Sequence, residues 1–318
     1  MNNPARRHHY LPQSYLRGFT ADETKGSGLY VFDLELRKAI GKRSLKSIAF
    51  EEDWHTVDFP GMAPDICETT LGRFEQQAIE TIRKVTSNLT FNYDDLSTLI
   101  SFVSLIAVRV PRFRAGVIAE LENLTGEPFE SAASEPKNWD DIIKLLSSVD
   151  SGWSQKHSDY FLSGGHKYIA NPKNYHFFTT QIAQEAIYDL LEQRNWNLFV
   201  AEEGSGNFIC SDNPVGLIHS PPRLDFHQPW FGDKDTVVTF PLTRRVALVG
   251  RFEDESFVMH VDRKWVATLN NQTILDAWRY LYGPQKDFYW TPDGNIYGVD
   301  QLFHLLLPIP CPNEKTET

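Results

Sequence analysis

The segment of residues 94–110 is the feature that most restricts how the chain can fold. Its apolar side chains surround the whole circumference of a predicted helix instead of covering one face, which is typical of a helix buried inside a protein. Asp94 or Asp95 is the predicted N-cap. Pro111 ends or kinks the helix, because proline has no backbone N–H and clashes with the preceding turn. We therefore predict a central, buried helix against which the other elements pack.

Helical patterns lie on both sides of this segment. Between Leu71 and Val85, apolar residues recur every three or four positions, which predicts an amphipathic helix that starts near Asp65. Residues 174–194 predict a third long helix, and residues 139–149 predict a short one. The middle of the chain is therefore expected to be helical.

Strand-like segments precede and follow these helices. Aromatic and β-branched residues predict a strand at 28–35 and a short one within 47–58 that ends near Trp54. After the helices, residues 196–203 and 207–212 predict a hairpin, with Gly204, Ser205 and Gly206 as its turn. Two more strands are predicted at 235–242 and 244–252, and a last helix at about 270–282 that stops at Gly283 and Pro284.

Strands, then helices, then strands again are typical of the α+β class and not of a doubly wound parallel fold. We predict one composite domain over residues 1–310, with long helices packed against a mostly antiparallel sheet. Its parts are an N-terminal motif with strands (1–60), a helical middle (65–194) and a β-rich part with the final helix (195–310). Residues 311–318 are predicted to be a frayed tail.

Composition argues against several classes of protein. The cysteines, Cys67, Cys210 and Cys311, are few and widely spaced, which indicates a reducing compartment and no disulfide framework. No run of about 20 apolar residues is present, so we expect a cytoplasmic protein without membrane association. A net charge of −11 argues against broad, nonspecific binding of nucleic acid. The motifs of P-loops, zinc proteases and serine hydrolases are absent.

The opening stretch RRHHYLPQSYLRGFT, residues 6–20, combines basic side chains with apolar ones. A flexible tail would not need the apolar residues, so we expect an ordered part of the fold and a local basic site. His8 and His9 are adjacent, and adjacent side chains of an extended segment point to opposite faces. We therefore expect one of them to pack and the other to face a site.

Three acidic or basic residues are unusual for the helices on which they lie. Glu68 and Glu75 are seven residues apart and border the buried face of their helix, where a carboxylate either reaches solvent or meets a buried cation. Arg109 lies among apolar neighbours, and a buried guanidinium requires a carboxylate or an anionic ligand. A structural pair with Glu75 or an aspartate and an anion site are both compatible with this position.

The stretch SDNPV follows an apolar strand and displays Asp212 at the strand end. Pro214 restricts Asn213 to extended conformations, so the chain bends at a fixed point. A polar group at a strand end is a frequent ligand-binding or catalytic arrangement. An Asx turn that caps the strand accounts for the same residues.

Taken together, these segments resemble the bacterial family called domain of unknown function 4238. The resemblance rests on "HHYLPQSYLRGF", "LYVFDLE", the spaced glutamates Glu68 and Glu75, Arg109 with Pro111, "SDNPV", "TFPLTRRVALV" and "LNNQTILDAWRYLYG". In the last of these, Asn270 or Asn271 stands in the place of the family's asparagine. The resemblance implies that the motifs occur together and brings no activity with it.

Distant polar motifs beside apolar segments predict convergence in one pocket. Our first interpretation is a hydrolase of a phosphodiester or other anionic substrate, such as a metal-dependent nuclease, with nucleic acid or a nucleotide as partner. The expected catalytic residues are His8, His9, Arg109, Asp212 and Asn213, and the expected substrate-binding residues are Arg7, Tyr10, Arg17 and Asn270. Mg²⁺ or Mn²⁺ would be held by Glu68, Glu75 and Asp212. The alternative is a non-catalytic ligand-sensing or interaction module in which the same residues form a structural polar network.

Overall fold

The structure is a computed structural model that describes residues 7–24, 26–52, 66–125, 172–221, 228–253 and 255–306. For residues 66–70, 120–125 and 172–178 it describes the backbone alone. The described helices are α1 (Gln13–Arg17), α2 (Ile66–Asn88), α3 (Tyr93–Arg109), α4 (Pro111–Thr125), α5 (Pro172–Glu192), α6 (Arg263–Asp276) and α7 (Leu302–Leu305). The described strands are β1 (Arg7–His9), β2 (Gly28–Asp33), β3 (Lys38–Ser44), β4 (Phe50–Glu52), β5 (Asn195–Ala201), β6 (Cys210–Ser211), β7 (Gly216–His219), β8 (Thr236–Pro241), β9 (Val246–Arg251), β10 (Val258–Val261) and β11 (Tyr280–Gly283).

The strands form two larger sheets and one small ribbon. The five-stranded sheet has the order β10-β5-β9-β8-β7, and only its β10–β5 pair is parallel. The four-stranded sheet has the order β3-β2-β11-β6 and is antiparallel throughout. The ribbon pairs β1 with β4. Long helices with mostly antiparallel sheets confirm the predicted α+β class.

Helix α3 is the central helix that its composition predicts. Ten of its residues are buried, including the cationic Arg109 at its end. Its N-cap is Asn92, and not Asp94 or Asp95 as the sequence pattern predicted. The Asn92 side chain accepts a hydrogen bond from the Asp95 amide, and the Asp95 carboxylate accepts one from the Asn92 amide, so both residues complete a capping box. Pro111 ends α3 and begins α4, a helix position that needs no N–H donor.

The N-terminal stretch packs into the same core as α3. Leu11, Tyr15 and Leu16 are buried, and the Tyr15 ring stacks on Phe240 with centroids 5.3 Å apart. The Tyr15 hydroxyl donates to the Pro241 carbonyl at 2.6 Å. The prediction of an ordered N-terminal stretch is confirmed for the described residues from Arg7 onward.

The predicted hairpin at 196–212 is wrong, because its two strands belong to different sheets. Strand β5 lies in the five-stranded sheet and β6 in the four-stranded sheet. Gly204 and Gly206 both have positive φ values, 78° and 102°, and they turn the chain between β5 and β6. The Phe208 amide then donates to the carbonyl of Arg244, which leads the chain away from β5.

The predicted helix at 270–282 is also wrong at both ends. Helix α6 begins earlier, at Arg263, with Asp262 as its N-cap. It ends at Asp276, because Ala277 is extended and the following amides donate to the Asp212 side chain instead of to helix carbonyls. The end of the predicted helix is strand β11, between β2 and β6.

Two of the predicted elements lie partly or wholly beyond the part of the chain that the structure describes: the short helix at 139–149 and the end of the strand near Trp54. No single described helix is long and apolar enough to cross a membrane. Helix α3 and residues Pro111–Ala119 of α4 reach the required length and composition only as a pair, and they are bent by 56°.

Candidate functional site

The β1–β4 ribbon places the two histidines against the end of α3. In the ribbon, His8 lies opposite Glu51 and His9 opposite Phe50. The Arg109 guanidinium donates from Nη2 to the His9 carbonyl at 3.0 Å and from Nη1 to Oε1 of Glu75 at 2.5 Å. Because Arg109 is only 2% exposed, this ion pair with Glu75 compensates its burial. Of the two alternatives for Arg109, the pair with Glu75 is present.

The two histidines differ in exposure, as the extended geometry predicts. His8 is buried and His9 is partly exposed beside the Phe50 ring. Burial lowers the pKa of His9, partly offset by a backbone hydrogen bond at Leu45, and the nearby Arg109 charge lowers it further. Its Nε2 atom is buried and has no hydrogen-bond partner among the described residues. His9 is therefore a neutral imidazole at neutral pH.

Asp212 is buried and turned toward the protein. Its Oδ1 accepts from the Trp278 amide, and its Oδ2 accepts from the amides of Arg279 and Tyr280, each at 2.8 Å. Burial raises the pKa of Asp212 to about 6, and the amide hydrogen bonds act in the opposite direction. The carboxylate thus anchors the chain between α6 and β11.

Tyr10 connects the N-terminal stretch to Asp212. The hydroxyl groups of Tyr10 and Tyr282 are 3.3 Å apart in the interior. Burial raises the pKa of Tyr10 well above its usual value, and the charges of Asp212 and Glu51 raise it further. The histidine stretch is therefore close to both Arg109 and Asp212, and the side chains of Arg109 and Asp212 are each buried and engaged with protein groups.

The other expected site residues lie elsewhere or act structurally. The Asn270 side chain accepts from the Ile209 amide and donates to the carbonyls of Asn207 and Tyr289. Arg7 is exposed on β1, with its guanidinium 4.9 Å from the centre of the Phe50 ring. Arg17 lies on α1 at a separate cavity.

The expected metal ligands are not assembled by the residues that the structure describes. Glu75 is paired with Arg109, and Asp212 accepts three amides. Glu68 lies in α2, and its side chain is outside the described part of the structure. Within that part, no three His, Cys, Asp or Glu side chains stand close enough together to hold a metal ion.

Asn213, which follows Asp212, faces a cleft. The cleft has a volume of about 460 Å³ and lies between helices α3, α4 and α5 on one side and the start of β7 on the other. The aromatic side chains of Phe113, Trp230 and Phe231 line it, and Trp230 is half exposed. Such a cleft suits a small ligand that carries a ring.

Asp276 and Arg112 form the polar end of this cleft. The Arg112 Nη1 atom lies 3.8 Å from the Asp276 carboxylate and donates to the Asp276 carbonyl at 2.9 Å. Asn213 donates from Nδ2 to the same carbonyl at 2.7 Å, and the Gln272 side chain donates to the carboxylate. Burial raises the pKa of Asp276 to about 6, while the Gln272 hydrogen bond, the Arg112 charge and the Leu217 amide act in the opposite direction. Arg112, Asn213 and Asp276, which come from distant parts of the chain, thus converge at one end of the cleft.

Gly216 provides the space for this arrangement. A Cβ atom at Gly216 would lie 2.4 Å from Oγ1 of Thr239 and 2.9 Å from Oδ2 of Asp276. Only glycine therefore lets β7 approach the carboxylate this closely.

Sequence reasoning missed both Asp276 and Arg112, although each had a signal. Arg112 directly follows Pro111 in the Arg-x-Pro stretch, and Asp276 lies in the "LNNQTILDAW" stretch from which Asn270 was selected. Gln272 and Asp276 are four residues apart, a spacing that places them side by side on a helix.

The fold and the site define an α+β protein with buried polar side chains and an aromatic cleft. A family model described as "Protein of unknown function (DUF4238)" matches residues 7–287. The chain belongs to this family, whose model spans nearly all of the described elements. No curated protein and no solved structure matches the chain.

Proposed function

We propose that the chain is a hydrolase that binds a nucleotide-class substrate, an aromatic base with a phosphodiester group, in the cleft of Arg112, Asn213 and Asp276. One observation carries the proposal. A largely buried carboxylate, that of Asp276, stands in the wall of an aromatic cleft beside a guanidinium. Clusters of perturbed titratable groups in a cleft are typical of functional sites.

The shape of the cleft supports a ligand of this class. Its volume of about 460 Å³ lies in the range of small-molecule sites. Phe113, Trp230 and Phe231 offer ring faces on which a base can stack. Arg112, whose side chain is 46% exposed, keeps part of its guanidinium available for a phosphate.

The same geometry supports acid–base chemistry. With a pKa of about 6, Asp276 is mostly ionised at neutral pH and close to the range that suits a general base. Asp276 takes a proton from water while the water oxygen bonds to phosphorus. The bond from phosphorus to the leaving oxygen breaks, and that oxygen receives a proton from Asp276 or solvent. Arg112 stabilises the charge that develops on the phosphoryl oxygens.

The alternative is a module that binds the same ligand without turning it over. The contacts of Arg109, Glu75 and Asp212 favour this alternative, because each of the three side chains is engaged with a protein group. Binding and turnover therefore have to be measured separately.

The test uses a panel of mononucleotides, cyclic nucleotides and short RNA and DNA oligonucleotides. Binding is followed by isothermal titration calorimetry, and turnover by chromatography of the products. We expect Asp276→Asn to lower kcat by at least about 100-fold with only a small change in affinity. Arg112→Gln should weaken binding as well as turnover. Parallel reactions with EDTA, Mg²⁺ or Mn²⁺ test the divalent cation that the sequence predicts.

Asp94→Asn is the matched control, because Asp94 is exposed on α3 and away from the cleft. Circular dichroism confirms that each variant is folded. Binding without turnover would support the ligand-sensing alternative, and no binding by any compound would contradict the proposal.

A further inference from the structure

A second cavity of about 270 Å³ lies between α1, α2 and the turn that connects β8 to β9. Ser14 and Arg17 of α1 form one wall and Arg83 of α2 another, and the turn between β8 and β9 closes it with Thr243 and Arg245. None of its lining residues takes part in the cleft of Asp276. It is a separate compartment with its own chemistry.

The charge of this cavity is opposite to that of the whole chain. Although the net charge is −11, three guanidinium groups line the cavity and Glu23 is the one carboxylate among its lining residues. Arg245 donates to the backbone carbonyls of Gly206 and Ala201, and the charge of Glu203 also acts on it. Among the described lining residues, positive side chains therefore outnumber negative ones by three to one.

Arg17 and Arg83 have unused hydrogen-bond donors. Neither side chain makes a hydrogen bond or an ion pair with a described residue, and Nε of Arg17 is buried. A buried guanidinium N–H without an acceptor is unfavourable, because it has lost its hydrogen bonds to water. A ligand with several acceptor oxygens would satisfy these donors.

Two hydroxyl groups of the cavity, those of Thr243 and Ser14, are available to donate. Oγ1 of Thr243 accepts from the amides of Arg245 and Val246, each at 3.2 Å, so its own hydrogen is left to donate. The Ser14 hydroxyl makes no hydrogen bond with a described residue. Donors from both guanidinium and hydroxyl groups thus face one space.

We propose that this cavity binds a phosphate group through Arg17, Arg83, Arg245 and Thr243. A guanidinium matches phosphate because its planar N–H groups bind two oxygens together. The volume of the cavity exceeds that of an inorganic phosphate ion, so a small phosphate ester fits as well as free phosphate. The proposal is independent of the proposed hydrolase, because no residue is shared.

Isothermal titration calorimetry with sodium phosphate, at ionic strength held constant with NaCl, tests the site. We expect saturable binding that Arg17→Gln and Arg83→Gln each weaken by about tenfold or more, since each removes a charge-assisted hydrogen bond. Glu23→Gln should strengthen binding, because it removes the one carboxylate from the lining. Titration with ribose 5-phosphate in parallel separates the two ligand sources, and binding of either one that Arg17→Gln and Arg83→Gln weaken supports the site.

Two control variants assign the binding to this cavity. Arg73→Gln removes an exposed guanidinium of the same helix α2, and Arg43→Gln removes an exposed one on β3; neither residue lines the cavity. Both should bind phosphate as the unmodified chain does. If Arg17→Gln does not fold, the exposed Arg83 decides the question. Absence of saturable binding, or an equal loss in Arg73→Gln, would overturn the proposal.

Discussion

At the scale of single residues, Asp212 shows how a correct sequence signal can receive the wrong role. The sequence places an aspartate at a strand end, and the structure turns it inward to three consecutive amides. Those amides belong to residues more than 60 positions later, and no local sequence pattern indicates that they contact Asp212. A strand-end carboxylate is visible in sequence, but its partners depend on tertiary structure.

We therefore expect Asp212→Asn to destabilise the protein. Asparagine replaces one acceptor oxygen by an NH₂ group, which would face a backbone N–H in the interior. An unsatisfied buried donor of this kind is unfavourable by about 1–3 kcal/mol. Urea unfolding measures the change in the free energy of unfolding.

Asp189→Asn is the control for this substitution, because Asp189 is exposed on α5. We expect it to change stability by less than about 0.5 kcal/mol. If Asp212→Asn were equally neutral, the carboxylate would not have the anchoring role that its hydrogen bonds indicate.

Arg109 shows a different case, in which elementary physics includes the observed partner, Glu75, among the alternatives. A guanidinium among apolar neighbours requires a carboxylate, and Glu75 borders the buried face of the neighbouring helix. The structure joins the two. The sequence does not predict Asp276 as a site residue. Its burial depends on β7 and on Gly216, which are distant from it in the sequence.

At the scale of elements, the sequence pattern locates α3 and its end at Pro111, because the apolar composition and proline chemistry are local. It fails at Tyr280–Gly283, which continues the apolar pattern of α6 but pairs with β2 and β6. It also fails for β5 and β6, because strand pairing is decided by non-local contacts. Periodicity thus identifies isolated elements better than it identifies their neighbours.

Strand β9 contains a glycine whose role follows from packing. A Cβ at Gly250 would lie 2.8 Å from the Trp196 ring. That ring is fully buried, and its Nε1 donates to the Leu191 carbonyl at 3.0 Å, so it cannot move freely. We expect Gly250→Ala to destabilise the protein by about 1–3 kcal/mol in thermal or urea unfolding, because it overpacks the core.

Gly26→Ala is the matched control, since no atom lies within 4 Å of a Cβ at that position. It should leave stability nearly unchanged. An equal effect of both substitutions would mean that the glycine backbone, and not the Trp196 ring, is responsible.

At the scale of the whole molecule, the order of strands and helices was sufficient to predict the α+β class. It did not reveal that the strands divide into two larger sheets and a ribbon, or that the N-terminal stretch packs against β8. For function, this means that the sequence motifs and the two cavities are formed largely by different residues. Arg109 and Asp212 are buried and engaged with protein groups, and the two cavities are lined by residues that the sequence motifs only partly include.

The two buried aspartates make the stability of the whole molecule depend on pH. Burial raises the pKa of both Asp212 and Asp276 from 3.8 to about 6, so the folded chain holds these protons more tightly than the unfolded chain does. Stability contributed in this way is fully present below about pH 4 and is lost as the pH rises through 6. Each group then lowers the free energy of unfolding by an amount on the order of 2–3 kcal/mol.

Comparison with Asp276→Asn isolates one of these contributions, because the substituted side chain does not titrate. His9, whose lowered pKa changes stability in the opposite direction, is present in both proteins and cancels. We expect urea unfolding at pH 4, 5, 6 and 7 to show a smaller loss of stability with rising pH in the variant. Because the native carboxylate becomes charged within the protein while the asparagine does not, the variant should gain stability relative to the native chain between pH 4 and 6. Parallel pH profiles of the two proteins would mean that Asp276 ionises as easily in the folded chain as in the unfolded one, and would remove it as the proton acceptor of the cleft.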